Sequence, residues 1–456
     1  MKTKNGKCSV AFYLVYSLPM IGYCLVVALL GYVSYFAVNV LGLSSLLVGN
    51  LILVSKIFDG ISDVIAGFLI DHTNTKFGRA RPYDWAYVGF CLSAVLLFCI
   101  PQMKTAATAV CLFLTYMLIY TVFQTLYSCA QAVYLARTVS DADQQVSVNV
   151  VSMLIGIVGS VVAGVFIPVY IARMGNDAAA WRTFAVALGI PSAIICSIRF
   201  FIIKENTDIQ AEGKEQQKIN FKEGVQLLAR NPYILIIALA LLVVNIATNL
   251  AGANPFFFDV VLGDLSAQSV VNAVGAVGPL SVIFFPLLAK KIGKKKLIIA
   301  SLILGIVGKL LPLLNLHNVV LLGIGTALGT IGYMPLYVLT VNIIIECMDY
   351  GEWKFGKRGE GIYSCISGFT SKIGTGLGNW MVGFIMALGG YSSQLAVQSQ
   401  GAKNSIILLF TVIPALLYLI AAVAVHFYRL EEQLPLIQTE LCEKKNKDVA
   451  QIGDKS

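Results

Sequence analysis

The chain has 456 residues, of which 57% are hydrophobic and 12% charged, and a mean hydropathy of +0.79. A soluble surface needs about a quarter of its residues charged, so this composition excludes a soluble enzyme and requires a chain largely hidden in lipid. The formal charge of +9 would suit nucleic acid or an anionic surface if the basic residues shared a face, but they fall in the connections between apolar runs.

Lipid gives backbone amides no partners, so only helices or closed barrels span it. Barrel strands would alternate over about 10 residues, whereas runs such as 190–203, 234–244 and 297–311 are continuously apolar. The first residues carry Lys2, Lys4 and Lys7 ahead of an apolar segment, as a signal peptide does. That segment continues to about residue 38 without a small-residue cleavage site and reads as a first span. In chain order the expected spans are 11–38, 44–70, 83–101, 108–136, 149–173 and 182–203, then 232–260, 267–289, 296–314, 318–346, 361–388 and 404–428.

Between the two sets, 204–231 is polar, and Phe221, Val225, Leu227 and Leu228 give its end the pattern of a short amphipathic helix. The expected organisation is an all-α membrane protein of about twelve transmembrane helices in two pseudo-symmetric six-helix bundles, 1–203 and 232–428, with a cytoplasmic linker 204–231 and a cytoplasmic tail 429–456. Ten cysteines show no zinc or disulfide spacing, and six of them lie in apolar stretches as small buried hydrophobes.

Alternate connections hold most of the basic residues: Lys76, Arg79 and Arg81, then Arg137, the linker, 290–296, and Lys354, Lys357 and Arg358. The opposite set holds Lys104, Arg173, Arg182 and Lys403. The positive-inside rule then puts both termini and the linker in the cytoplasm of a multi-pass cell (inner) membrane protein. Gly78-Arg79-Ala80-Arg81 after the second span and the basic run 290–296 after the eighth occupy matching places, the mark of repeated halves around a midplane site.

An ionisable side chain in a span costs at least about 2.5 kcal/mol, so those present are functional candidates. Lys56, Asp59 and Asp63 recur at helical spacing on one stripe of the second span. Two carboxylates one turn apart repel, and a proton or a small cation such as Na+ bridging their oxygens relieves the repulsion. The competing reading is a Lys56–Asp59 salt bridge that only pins helices. Lys372 in the eleventh span precedes the run Gly374-Thr375-Gly376-Leu377-Gly378 and needs an acidic partner, for which the second-span aspartates are candidates. Lys309 has no carboxylate near it in sequence and reads as snorkelling, and Glu346 at a span end reads as a gate or a solvated terminus.

Tyr23, Tyr120, Gln124, Tyr127, Asn249, Tyr337 and Trp380 supply the amides, hydroxyls and ring faces that hold a sugar. No cofactor motif is present, and His72, His317 and His426 sit singly.

Lys56-Ile57-Phe58-Asp59, Asp63, Gly67 and Asp71, followed by Lys76-Phe77-Gly78-Arg79-Ala80-Arg81-Pro82-Tyr83, resemble the signature of the glycoside-pentoside-hexuronide cation symporters of the major facilitator superfamily, which include the melibiose carrier. A second signature, Asp349-Tyr350-Gly351-Glu352-Trp353-Lys354, then Gly361-Ile362-Tyr363-Ser364 and Lys372, resembles the same family. The resemblance implies the major facilitator fold and import of a sugar, glycoside or hexuronide with Na+ or H+ by alternating access. It implies that Asp59 and Asp63 hold the cation, that Lys372 and Lys56 couple it to the sugar, and that Asp71, Arg79, Arg81, Arg137, Asp349 and Glu352 belong to a cytoplasmic gate. Tyr23 and Gln124 stand where the melibiose carrier has its sugar-binding aspartates. The expected partners are a small sugar or glycoside, the coupling cation and the bilayer, with no nucleic acid; the rival readings are an uncoupled sugar facilitator and a non-transporting sugar sensor.

Overall fold

A computed structural model describes residues 8–139, 141–205, 221–356, 360–395 and 397–453. Its architecture is helical throughout. The rods are α1 (Val10–Val40), α2 (Ser45–His72), α3 (Trp85–Phe98), α4 (Thr105–Thr138), α5 (Ala142–Met174) and α6 (Ala178–Ile202). A second set follows as α7 (Pro232–Leu262), α8 (Ala267–Ile292), α9 (Lys294–Leu314), α10 (Val319–Phe355), α11 (Glu360–Leu388) and α12 (Gln400–Phe410 continued by Val412–His426). A linker helix (Phe221–Arg230) and a tail helix (Leu430–Gly453) complete the chain.

Local chemistry sets many of the starts. Ser9, Ser44, Asp141, Asp177, Asn231, Asn318 and Ser399 each accept a hydrogen bond from a first-turn N–H of the rod that follows, supplying the acceptor that those amides lack. Nine segments of the described residues are long and apolar enough to cross a membrane; α2, α3 and α11 are not among them. The α3 rod is short, and α2 and α11 carry Lys56, Asp59, Asp63 and Lys372. Polarity is concentrated where a site could be.

Two expected boundaries move outward. The tenth span, expected to end at 346, runs on to Phe355, and the fifth, expected from 149, begins at Ala142 behind its Asp141 cap. Counting apolar residues finds the buried part of a helix, but a helix continues through polar turns because its backbone is satisfied internally. The expected tail forms a helix, with Glu440 accepting from Trp353 Nε1 at 2.6 Å and Gln433 accepting from the Tyr233 hydroxyl at 3.3 Å. The expected linker helix is present over Phe221–Arg230, and 206–220 lies outside the described residues.

The packing repeats when each rod is advanced by six. The α1 rod packs on α5 and α6 as α7 packs on α11 and α12, and α3 packs on α6 as α9 packs on α12. Between the sets, α2 meets α11 and α5 meets α8, which are symmetry mates of one another.

The buried apolar residues show how the sets are joined. At the linker end each set has a core of its own, Phe12, Tyr134 and Ile203 in one and Ile234, Leu339 and Tyr428 in the other. At the far end one continuous core crosses between them, from Phe36 and Trp181 to Phe256 and Phe410. Hydrogen bonds reinforce that far end: the Tyr35 hydroxyl donates to Asp259 Oδ2 at 2.9 Å and the Tyr391 hydroxyl to Asn39 Oδ1 at 2.7 Å. The molecule is therefore sealed at the end remote from the linker.

Candidate functional site

A cavity of about 630 Å³ lies between the sets, with Lys56, Asp59, Asp63, Gln124, Asn249 and Lys372 in its wall. The helices are brought close enough for this by glycine. A Cβ on Gly374 would lie 2.3 Å from Asn245 Cβ of α7, and one on Gly378 would lie 2.7 Å from Asn249 Cβ. A Cβ on Gly376, on another face of α11, would lie 3.1 Å from Lys56 Cβ of α2. The alternating glycines thus seat α11 between α7 and α2, and the same geometry aims Lys372 at α2.

Lys372 Nζ donates to the backbone carbonyl of Asp59 at 2.5 Å and forms an ion pair with Asp63. Lys56 Nζ pairs with Asp59 Oδ2 at 2.6 Å and lies 4.1 Å from the Tyr120 ring centroid, in cation–π range. The other Asp59 oxygen accepts from Thr121, and Ser62 donates to the Asp59 carbonyl at 3.0 Å. Asp59 is only 3% exposed and Asp63 is half-exposed to the cavity. Both the salt bridge and the second carboxylate of the competing sequence readings are present, and Asp63 has its countercharge from the opposite set. The arrangement offers a small cation two carboxylates, a carbonyl and a hydroxyl, all hard oxygen donors.

Thr121 was not among the expected site residues. It stands in a π turn, Leu118–Gln124, within α4, a form that recurs at functional sites because the wider ladder redirects side chains. A polar residue three places before Gln124 in an apolar run was the available signal.

The expected sugar contacts divide. Tyr120, Gln124 and Asn249 line the cavity, and Gln124 Oε1 is buried without a hydrogen-bond partner among the described residues. Tyr23 and Tyr127 pack edge to face at 5.2 Å, with Tyr127 stacked on Tyr87 at 4.3 Å, in an aromatic cluster beside the lining. Tyr337 donates to Asn245 Oδ1 at 2.8 Å, and Trp380 donates to Asn50 Oδ1 at 3.0 Å while stacking on Phe384. Lys309 lies 5.8 Å from the Phe410 ring centroid, its stem against Gly329.

At the linker end, Glu205 organises the residues expected at the gate. Its carboxylate accepts the backbone N–H groups of Arg79, Ala80 and Arg81 at 2.9–3.0 Å and pairs with Arg137 at 3.5 Å. The Arg81 guanidinium donates to the Phe200 carbonyl at 3.0 Å through Nε. The second set repeats the device: Glu431 accepts from Lys294 N at 2.8 Å and Lys295 N at 3.0 Å. Each loop turns at a glycine with left-handed φ, Gly78 at 111° and Gly293 at 87°, against whose Cα the carboxylate rests. Only glycine takes that backbone without strain.

The sequence signal that was missed is an acid just beyond the last apolar residue of the sixth and twelfth spans. Glu346, expected as a gate or a solvated terminus, is buried, paired with Lys294 and hydrogen-bonded by Tyr428 at 2.9 Å. Asp349 is buried and accepts from Gln438 of the tail helix at 3.4 Å, and Glu352 lies one turn further along α10. The Asp71 side chain lies outside the described residues.

A helical bundle with a charged cavity at the seam of two repeated halves is the architecture of a multi-span membrane transporter. The xylose-proton symporter structure superposes with a TM-score of 0.64 at 15% identity, covering 93% of this chain and 98% of that one. Residues 15–432 match the family described as MFS/sugar transport protein, and the chain belongs to that family of sugar and glycoside cation symporters within the major facilitator superfamily. Among its relatives, the isoprimeverose transporter of Lactiplantibacillus pentosus is 29% identical over 93% of this chain and 89% of its own length. The glucuronide carrier protein homolog of Escherichia coli (strain K12) is 24% identical, with 92% of each chain covered. The protein is a transporter and not an enzyme.

Proposed function

We propose that the protein imports a glycoside together with Na+ or H+, using Asp59 and Asp63 as the cation site and the adjoining cavity wall as the sugar site. The observation that carries this reading is Lys372, whose ammonium reaches across from α11 to the Asp59 carbonyl and the Asp63 carboxylate. In the empty carrier that ammonium acts as a tethered cation, neutralising a carboxylate that would otherwise stand bare in a low-dielectric site. An arriving cation competes for the same oxygens and releases Lys372 into the cavity, where Tyr120, Gln124 and Asn249 bind the sugar. Coupling is then the difference in affinity of the two ligands for the two access states. With the linker in the cytoplasm, the far-side seal makes this the inward-facing state.

The relatives' names, an isoprimeverose transporter and a glucuronide carrier homolog, support a sugar conjugate as cargo. The test is uptake of labelled glycosides into membrane vesicles with a sodium gradient, a proton gradient or neither. Accumulation against a concentration gradient under one of the two is expected. Equilibration without accumulation would make the protein a facilitator, and absence of any flux would favour the sensor.

A further inference from the structure

A second cavity, of about 520 Å³, lies at the sealed end and shares no lining residue with the first. The first half supplies Asn39 from the end of α1 and Asn176 from the α5–α6 connection. The second half supplies Asp259 from α7, Tyr391 and Gln394 from the α11–α12 connection, and Lys403 from α12. Three of these residues make the seal itself, since Tyr35 donates to Asp259 Oδ2 and Tyr391 to Asn39 Oδ1 across the seam. The wall is preformed. The Gln398 amide donates to the Ser392 carbonyl at 2.7 Å and the Leu395 carbonyl at 3.1 Å and accepts from the Ser392 N–H at 3.2 Å, which fixes the connection that carries Gln394. Cavities of this size hold small organic ligands, and the free polar groups say which kind. The Asn176, Gln394 and Lys403 side chains and the second oxygen of Asp259 have no hydrogen-bond or ion-pair partner among the described residues, and Asp259 and Lys403 are not paired with one another. A simple ion would meet a charge of its own sign beside one of the opposite sign, and gains no net attraction. Amides both donate and accept, a carboxylate accepts and an ammonium donates; sugar hydroxyls, each donor and acceptor at once, satisfy that mixture.

We propose that this cavity is a second sugar site, for a neutral sugar on the far side, and that it is complete only while the halves are sealed. Opening at that end separates Asn39 and Asn176 from Asp259 and Lys403 and dismantles the site. A sugar bound there favours the sealed state by its difference in affinity for the two states. On the import reading it slows the carrier's return to face outward when sugar outside is abundant.

The test uses the full chain in nanodiscs with Gln394→Cys and follows alkylation at position 394 by N-ethylmaleimide, read by peptide mass. The exposed native Cys365, towards the other end of α11, is the internal reference. Cellobiose, lactose and melibiose are the probes, and alanine is the zwitterion that could span Asp259 and Lys403. At about ten times its Kd a disaccharide is expected to slow alkylation at 394 about tenfold and to leave Cys365 unaffected. Adding Asn176→Ala and Lys403→Ala, which touch neither the seal's hydrogen bonds nor the cavity of the ion pairs, is expected to abolish the protection. Equal slowing at Cys365, protection that survives the double substitution, protection by alanine alone, or none from any of the three sugars overturns the proposal. The state dependence is read separately, with spin labels at the exposed Met103 and Leu314 of the far side in a Tyr35→Phe background that weakens the seal. The protecting disaccharide is expected to deplete the long-distance population there, and to leave it unchanged once Asn176→Ala and Lys403→Ala are added. A distribution indifferent to the sugar in both overturns the claim that the site belongs to the sealed state. Neither measurement needs transport, so failure of the import reading would be seen in vesicles and not here.

Discussion

Lys56 and Asp63 carry opposite signs on one stripe of α2, yet their environments assign them different tasks. Lys56 is buried against Asp59 and the Tyr120 ring, so Lys56→Met strands a buried carboxylate and is expected to lower stability by about 3–5 kcal/mol, read as a lower Tm of the detergent-solubilised protein. Asp63 is half-exposed and its partner Lys372 is itself partly exposed to the cavity; Asp63→Asn is expected to leave Tm nearly unchanged while abolishing gradient-driven accumulation. A large loss of Tm in Asp63→Asn with normal accumulation would reverse these roles. The stripe itself was legible in the sequence from its helical spacing. Which of its members is closed off was not, because that depends on Thr121 from α4 and Lys372 from α11, at 62 and 313 positions' separation from Asp59.

Between elements, the close approaches of α11 and the two glutamate-held loops decide how the halves are shaped. Gly374→Val places a side chain where Asn245 already stands and is expected to cost about 1–3 kcal/mol or more by overpacking, seen as reduced yield of folded protein. Glu205→Ala removes one acceptor from three backbone N–H groups and a partner from Arg137. Hydrogen bonds to a charged group contribute about 1.5–3 kcal/mol, so faster proteolysis at the 73–81 loop is the expected result, and Glu431→Ala should do the same at 293–296. Unchanged cleavage of either loop would remove the structural role argued for that carboxylate. Matching basic loops were visible in the sequence, but their shared glutamate clamp was not, since each acid lies four helices away from the loop it holds.

On the scale of the whole molecule, the far-side seal rests on an apolar core and on the Tyr35–Asp259 and Asn39–Tyr391 hydrogen bonds. Each such bond contributes about 1 kcal/mol, so a Tyr35→Phe, Tyr391→Phe double variant is expected to shift the access equilibrium roughly 5- to 30-fold toward opening on that side. Spin labels at Asn176 and Leu395 should then report a longer distance population; an unchanged distribution would leave the seal to the apolar core alone. Tags placed near Gly213 and at the carboxyl terminus are expected on the same, cytoplasmic face, and opposite placement would overturn the proposed orientation.

Composition and periodicity determined by themselves that this chain is a polytopic helical membrane protein, because a bilayer filters for long apolar helices and leaves the exceptions, Asp59, Asp63 and Lys372, exposed to view. Local chemistry determined most helix starts through their Ser, Asp and Asn caps. Only the tertiary structure decided which side chains meet across the seam, which expected sugar contacts line the cavity and which pack beside it, and at which end the halves are sealed. Those outcomes depend on contacts between residues hundreds of positions apart, and helical periodicity, which repeats every few residues, carries no information about them.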